Sequence, residues 1–198
     1  MEKQLIVTVG REYGSGGHEI AEKISKALGI KLIDRNFLQQ IAEAKNLNLA
    51  NLEKYDEKPI KMFMSRTVRN YSNSPEENVA QLQFNYLKEL ADKGESFVVV
   101  GRSSASVLRG NPNVIRLFIL GDMEAKIERV MRIYELSRDK AKDKIKRHDK
   151  QRKAYNNHHT NDYKWGDSRG YEICINSSRL GIDKTVEFIL QYINARIG

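Results

Sequence analysis

One glycine-rich segment limits the folds open to this chain more than any other feature. Residues 10–18 read GREYGSGGH, between an apolar run and a stretch in which apolar residues recur with helical spacing. Because glycine lacks a Cβ atom, Gly14, Gly16 and Gly17 allow several backbone N–H groups to point at one place. A helix that begins there adds the positive end of its dipole. The segment therefore predicts an anion-binding strand–loop–helix unit, although a glycine-rich turn without a ligand would give the same pattern.

The segment departs from the common phosphate-loop pattern G-x-x-x-x-G-K-[ST]. If Gly16 is the second glycine, Arg11 replaces the first one. Gly17 then replaces the lysine, and His18 replaces the Ser or Thr. These positions therefore lack the ammonium that normally contacts the β- and γ-phosphates and the hydroxyl that normally binds Mg²⁺. The phosphate-binding residues that we predict are Gly14, Ser15, Gly16, Gly17 and His18.

Predicted strands and helices alternate along the chain. The predicted strands are residues 4–9, 31–33, 97–100, 114–120 and 171–175. The predicted helices are residues 19–28, 36–44, 79–93, 123–134, 140–153 and 182–196. Such alternation favours a parallel sheet with helices on both faces. For 198 residues, we expect one α/β domain of three layers around a mostly parallel, five-stranded sheet.

The charge of the chain indicates the class of its partner. Lys and Arg number 34 against 26 Asp and Glu, which gives a formal charge of +8. Eleven of the basic residues lie within residues 129–153. This excess favours an anionic partner, either a nucleotide or a nucleic acid, although solubility alone would explain it. No helix-turn-helix, zinc or RNA-binding signature accompanies the basic stretch.

The sequence favours a cytoplasmic protein. The first apolar run, residues 5–9, is too short for a signal peptide. No run approaches the roughly 20 apolar residues that span a bilayer. The single cysteine, Cys174, excludes an intramolecular disulfide and favours a reducing compartment. Its apolar neighbours in residues 171–175 predict a buried thiol.

Polar residues follow the second and third predicted strands, at the edge where parallel sheets bind ligands. Asp34 would hold Mg²⁺ or orient an acceptor phosphate, or would equally serve as the N-cap of the next helix. Arg35 would contact the acceptor phosphate or lie at the surface. Arg102 offers a guanidinium fork for two phosphate oxygens, an interpretation that we prefer to a surface role. These three residues form the predicted acceptor site, and Asp34 is also the predicted metal ligand.

Several segments together resemble the cytidylate kinase-like family, a branch of the P-loop nucleoside monophosphate kinases. They are TVGREYGSGGHEIAEKISKALG, LIDRNFLQQIA, FVVVGRSSASVL, IERVMR, IKRHDKQRKAY and WGDSRGYEICINSS. The glycine loop of that family commonly has the form REYGSGG, so the departure described above follows the family. The resemblance implies a P-loop three-layer fold in a single domain over residues 1–198. It also implies a monophosphate-binding insertion at about 36–95 and a basic lid at about 137–166.

The resemblance further implies roles for the basic residues. Arginines of the lid would lie over the γ-phosphate, where they stabilise the charge of phosphoryl transfer. The predicted catalytic residues are Arg11, Arg147, Asp149 and Arg152. Arg129 and Arg132 share a helix face and would approach the adenine and the lid. A solvated, charged helix with i,i+4 pairs is the alternative for the helical residues.

We therefore expect an ATP- and Mg²⁺-dependent phosphotransferase that moves the γ-phosphoryl group to a nucleoside monophosphate such as CMP. Turnover stays open, because the loop lacks the usual Lys and Ser or Thr. The alternatives are a nucleotide-binding regulatory protein without turnover and a basic nucleic-acid-binding domain. The expected partners are small-molecule nucleotides rather than nucleic acid or a membrane, and a homo-oligomer stays open.

Overall fold

A parallel β-sheet organises the chain in the computed structural model, which describes residues 3–34, 36–46, 48–56, 67–68, 71–72, 74–160 and 162–198. The strands in these residues are β1 (Ile6–Arg11), β2 (Lys31–Ile33), β3 (Thr67–Val68), β4 (Tyr71–Ser72), β5 (Phe97–Val100), β6 (Val114–Leu120) and β7 (Ile173–Asn176). Strands β3 and β4 form an antiparallel hairpin. The other five form one sheet in the order β2-β5-β1-β6-β7, in which all neighbours are parallel.

The central strand β1 is buried on both faces, as its apolar sequence requires. Val7 and Val9 belong to the core on one face and Ile6 to the core on the other. Val9 pairs with Val100 of β5 and with Leu117 of β6. The carboxyl ends of these three strands therefore reach the same edge of the sheet, where a ligand can bind.

Helices cover both faces of the sheet. They are α1 (Gly17–Leu28), α2 (Phe37–Lys45), α3 (Leu49–Glu53), α4 (Pro75–Asp92), α5 (Ser104–Val107), α6 (Met123–Tyr134), α7 (Arg138–His158) and α8 (Ser177–Ile197). Helices α1 and α8 pack on one face, for example through Ile24 and Ile189. Helices α2 and α4 pack on the other, through Phe37 and Leu87. The predicted α/β fold with three layers is confirmed.

The five strands of the main sheet follow the predicted boundaries closely, whereas α4 and α8 begin before the predicted 79 and 182, and α3, α5 and the β3–β4 hairpin lie outside the predicted elements. Two further differences are informative. Strand β1 continues through Gly10 to Arg11, because both residues pair with β6 opposite Phe118 and Ile119. Helix α7 is longer than the predicted 140–153 and runs unbroken from Arg138 to His158. The basic residues from Arg138 onward thus lie on one continuous 21-residue helix.

The prediction of a buried thiol is wrong. Cys174 is exposed. It lies in β7, the strand at one edge of the sheet, and none of the four residues of β7 is fully buried. An edge strand has a neighbour on one side only, so an apolar sequence there does not ensure burial of every side chain.

Across the described part of the chain, no helix combines the length and the apolar character that a membrane crossing requires. Between β2 and β5 lie α2, α3, the β3–β4 hairpin and α4. Residues 57–66 of this region lie outside the described residues.

Candidate functional site

The glycine loop connects β1 to α1, which begins at Gly17. Gly14 and Gly16 have φ angles of 84° and 78°, in the left-handed region that glycine enters most readily. A Cβ atom at Gly16 would lie 2.3 Å from Cδ1 of Ile182, and one at Gly17 would lie 2.6 Å from Cβ of Arg11. Backbone conformation and close packing therefore both favour glycine here.

Next to the glycine loop, Lys126 of α6 forms ion pairs with two carboxylates. Lys126 Nζ lies 2.8 Å from Glu12 Oε2 and 3.6 Å from Asp149 Oδ2, and its side chain is only 4% exposed. Glu12 also accepts a hydrogen bond of 3.1 Å from the Gly121 N–H. Asp149 accepts one of 2.7 Å from the Tyr13 N–H. We call Glu12, Lys126 and Asp149 the loop anchor, because their contacts hold the backbone of Tyr13 in the loop and of Gly121 beside it.

The sequence reasoning missed two of the three anchor residues. Lys126 is adjacent to buried Ile127 and one helical turn before buried Val130, so it stands on the apolar face of α6. A lysine at such a position needs a buried partner, and that is the signal that could have found it. Burial raises the pKa of the Asp149 carboxyl above its usual value.

In front of the loop lies a cleft of about 630 Å³, a size typical of small-molecule sites. The structure brings most of the predicted site residues together in its lining: Arg11, Gly14, Gly16, Gly17, His18, Asp34, Arg102, Arg129 and Arg152. Lys144 and His148 of α7 add further nitrogen donors. The cleft thus joins the N-terminus of α1 to side chains suited to anions.

Other predicted residues lie elsewhere. Among the described residues, Ser15, Arg132, Arg147 and Asp149 are not part of the cleft lining. Ser15 is buried within the loop, whereas Arg132 and Arg147 are exposed on α6 and α7. Arg35 lies outside the described residues. The roles of these five residues, like those of the predicted residues in the cleft lining, stay predictions.

Asp34 is not the N-cap of α2, because Asn36 holds that position, and its role toward a metal or an acceptor phosphate stays a prediction. Its Oδ1 accepts a hydrogen bond of 2.9 Å from the Asn36 N–H just before α2. Its Oδ2 lies 3.7 Å from Nε2 of His18 in the cleft. The carboxylate therefore supports the start of α2 and still presents an oxygen to the cleft.

Arg102 is held firmly although it lies at a cleft. It is 3% exposed and forms an ion pair with Asp56, which also accepts a hydrogen bond of 3.0 Å from Gln83 Nε2. Gly101, Arg102 and Ser103 have φ angles of 76°, 59° and 51°. This left-handed backbone conformation is unfavourable for Arg102 and Ser103, which are not glycine. The surrounding contacts therefore hold the guanidinium in one place.

The arginines at the other side of the cleft are more accessible. Arg129 forms an ion pair of 2.5 Å with Glu19, and the two side chains are 22% and 40% exposed. Arg152 donates a hydrogen bond of 3.3 Å to the carbonyl oxygen of Arg11, and its guanidinium lies 5.3 Å from the ring centre of Tyr13. Both guanidinium groups therefore lie next to the glycine loop.

An aromatic wall flanks the same part of the cleft. Tyr13 stacks on His148 with ring centres 4.3 Å apart and planes 8° from parallel. Tyr134 lies 6.3 Å from Tyr13, and Lys144 Nζ lies 4.4 Å from the centre of the Tyr134 ring. Burial raises the pKa of the Tyr13 phenol, so that ring stays uncharged. Of these side chains, the sequence reasoning singled out neither Tyr13 nor Tyr134.

Comparison with known families gives one match that covers most of the chain. The model of a family described as the cytidylate kinase-like family matches residues 6–179, from β1 to the start of α8. In a comparison with curated proteins, none matches this chain.

Several solved structures share the fold of this chain. An uncharacterized protein from Eubacterium ventriosum is 33% identical, with a TM-score of 0.77 over 96% of this chain and 99% of that one. Shikimate kinase from Bacteroides thetaiotaomicron is 13% identical, with a TM-score of 0.56 over 96% and 98% of the two chains. A sugar kinase from a Janibacter species is 17% identical, with a TM-score of 0.54 over 96% and 95%. At these identities the two kinases show the shared fold.

Proposed function

The chain belongs to the cytidylate kinase-like family, and from this premise we propose that it transfers the γ-phosphoryl group of ATP to a nucleoside monophosphate such as CMP. One observation carries the proposal. The N-terminus of α1, where the glycine loop leaves N–H groups without helical partners, opens into the same cleft as Arg102, Arg129 and Arg152. Phosphoryl transfer depends on positioning and charge stabilisation, which this arrangement provides.

The donor phosphates would bind at the loop. Backbone N–H groups of Gly14, Gly16 and Gly17 would hold their oxygens, with the dipole of α1 behind them. Arg11, His18 and Arg152 would provide positive charge or hydrogen-bond donors where the usual lysine is missing. The buried Lys126 does not take over that task, because its ammonium is engaged by the loop anchor.

The acceptor phosphate would bind at Arg102. Its ion pair with Asp56 fixes the guanidinium, so little side-chain entropy is lost when a phosphate binds. Arg35 would assist it, as the sequence predicts. The base of the acceptor would be read within the proposed insertion, residues 36–95, which supplies Asp56 itself.

The donor set of the cleft fits a magnesium ion. Mg²⁺ binds oxygen ligands and commonly takes one or two carboxylates together with waters and substrate phosphates. Asp34 presents Oδ2 to the cleft while its Oδ1 is occupied by the Asn36 N–H. When bound, the ion would neutralise charge on the phosphate oxygens.

Helix α7 would supply the lid. Arg152 already lines the cleft, and the exposed Arg147 would reach the substrate only if α7 moved toward the loop. Asp149 would act on the loop backbone through its bond to the Tyr13 N–H. The adenine would lie near Arg129 and the aromatic wall, with Arg132 at its margin.

The test is a coupled assay of ADP formation with ATP, Mg²⁺ and a panel of nucleoside monophosphates. We expect turnover with a pyrimidine monophosphate, and CMP as the best acceptor. Calorimetry of ATP binding runs in parallel. Tight binding of ATP without transfer to any acceptor would refute the enzyme and support the regulatory alternative. If calorimetry detected no binding heat with any nucleoside triphosphate, the proposed phosphate site itself would be refuted.

A further inference from the structure

A second group of chemically active side chains lies away from the cleft, where α4 meets the end of α7. Glu77 lies in the first turn of α4, His158 is the last residue of α7, and His159 follows it. Each offers one metal-ligating atom, and these atoms all lie within 4.8 Å of one another. We propose that the three side chains bind a transition-metal ion, with Zn²⁺ as the best fit.

The donor set suits this ion. Two imidazole nitrogens and one carboxylate oxygen are typical zinc ligands, with water in the fourth position. In a tetrahedral site with bonds of about 2.1 Å, ligand atoms stand roughly 3.4 Å apart. Nε2 of His158 is already 3.3 Å from Oε2 of Glu77, and Nδ1 of His159 is 4.0 Å from Oε1. The side chain of His158 is 41% exposed. Its rotation would bring the ligating nitrogens of His158 and His159 to the spacing that a tetrahedral site requires.

The buried histidine is held in place before any ion binds. The His159 side chain is 5% exposed, and its ring packs edge-on against Phe84 and Tyr155 at 5.0 and 4.6 Å. Its backbone N–H donates to the carbonyl oxygen of Asn156 at 3.1 Å.

An ion pair between Glu77 and protonated His158 is the simpler use of these groups. Such a pair needs one histidine only, and the second, buried His159 would add nothing to it. A metal site uses all three side chains. The ion would connect α4, in the proposed insertion, to the C-terminal end of α7. Because it binds the folded chain, it would stabilise that connection.

The experiment measures Zn²⁺ binding to the full chain by calorimetry, with Co²⁺ as a visible-absorption probe of the coordination. Glu77→Gln and His158→Gln each remove one ligand from a partly exposed position. Asp162→Asn, which removes a nearby carboxylate outside the cluster, is the matched control. Cys174→Ser tests whether the exposed thiol is the true ligand.

We expect one Zn²⁺ per chain, an affinity at least about tenfold weaker in both ligand variants, and wild-type affinity in the two controls. Zinc should also raise the melting temperature of the wild type but not of Glu77→Gln. The site would be overturned if the wild type showed no stoichiometric binding, or if Glu77→Gln and His158→Gln bound Zn²⁺ as tightly as the wild type does. Circular dichroism shows whether each variant is folded, and if Glu77→Gln is not, His158→Gln decides.

Discussion

Two groups of charged side chains beside the glycine loop differ in the burial of their basic residues. We call the loop anchor the rear, although its Glu12 also lines the cleft, and the accessible cleft residues Arg129, Glu19 and Lys144 the front. On the rear, Lys126 is 4% exposed and touches two carboxylates. On the front, Arg129 and its partner Glu19 are 22% and 40% exposed. Charges removed from water need their partners permanently, whereas exposed pairs contribute little and exchange partners easily. We therefore expect the buried Lys126 to hold the shape of the loop and the more exposed Arg129 to stay available for a ligand.

The largest effect is expected at the rear. Lys126→Met leaves Glu12 and Asp149 without their shared cation, and removal of one partner of a buried pair costs about 3–5 kcal/mol. Denaturation in urea measures the loss of unfolding free energy. Lys144→Met is the control, since Lys144 lies at the cleft over the Tyr134 ring and should cost less than about 1 kcal/mol. Equal losses in the two variants would remove the distinction between rear and front.

The second prediction compares a glycine of the loop with a glycine elsewhere, so that an effect on ATP binding can be told apart from the cost of backbone strain. Gly16→Ala and Gly29→Ala both place a Cβ at a positive φ, 78° and 65°, and each should cost about 1–2 kcal/mol of stability. Only Gly16→Ala lies in the loop, where the new atom would also meet Ile182. Its affinity for ATP, measured by calorimetry, should fall at least about tenfold, while Gly29→Ala binds normally. Unchanged affinity in Gly16→Ala would contradict the phosphate site.

The third prediction concerns Arg102, which lines the cleft although it is almost fully buried. Arg102→Lys keeps the charge but loses the planar fork that binds two oxygens. We expect KM for the acceptor to rise roughly tenfold, as for the loss of one charged hydrogen bond, with little change in ATP affinity. Arg109→Lys, at an arginine paired with Asp162 outside the cleft, should leave both constants unchanged. A parallel loss of ATP affinity in Arg102→Lys would place this residue on the donor side.

The smallest effect is a dependence of stability on pH. The native pKa of Asp149 is raised by burial, so the folded state binds its proton more readily than the unfolded state does. As the pH falls from neutral toward the native pKa, the wild type should gain stability relative to Asp149→Asn. Urea denaturation at pH 7 and pH 5 measures the difference. A relative gain by Asp149→Asn on acidification would show that pairing with Lys126 outweighs burial.

Local patterns sufficed for the five strands of the main sheet and for the glycine loop. The apolar runs that form β1 and β5 and the glycines between β1 and α1 follow from residue type and spacing alone. The rear did not follow, because Glu12, Lys126 and Asp149 are brought together by the packing of α6 and α7. Asp56 was missed for a related reason: it precedes a polar region without clear periodicity, so nothing in the sequence pointed toward Arg102. The exposure of Cys174 depends on the position of β7 at the sheet edge, which strand periodicity does not encode.

Helix α7 contributes side chains to three places in the molecule: the loop anchor, the cleft and the contact with α4. It carries Asp149 of the loop anchor, Arg152 of the cleft and, at its end, His158 beside α4. Its 21 residues form a rod of about 30 Å. A tilt of about 5° around one end would displace the other end by roughly 2.5 Å over this length. A small displacement of α7 near His158 would therefore shift both Asp149, which holds the loop backbone, and the guanidinium of Arg152 in the cleft.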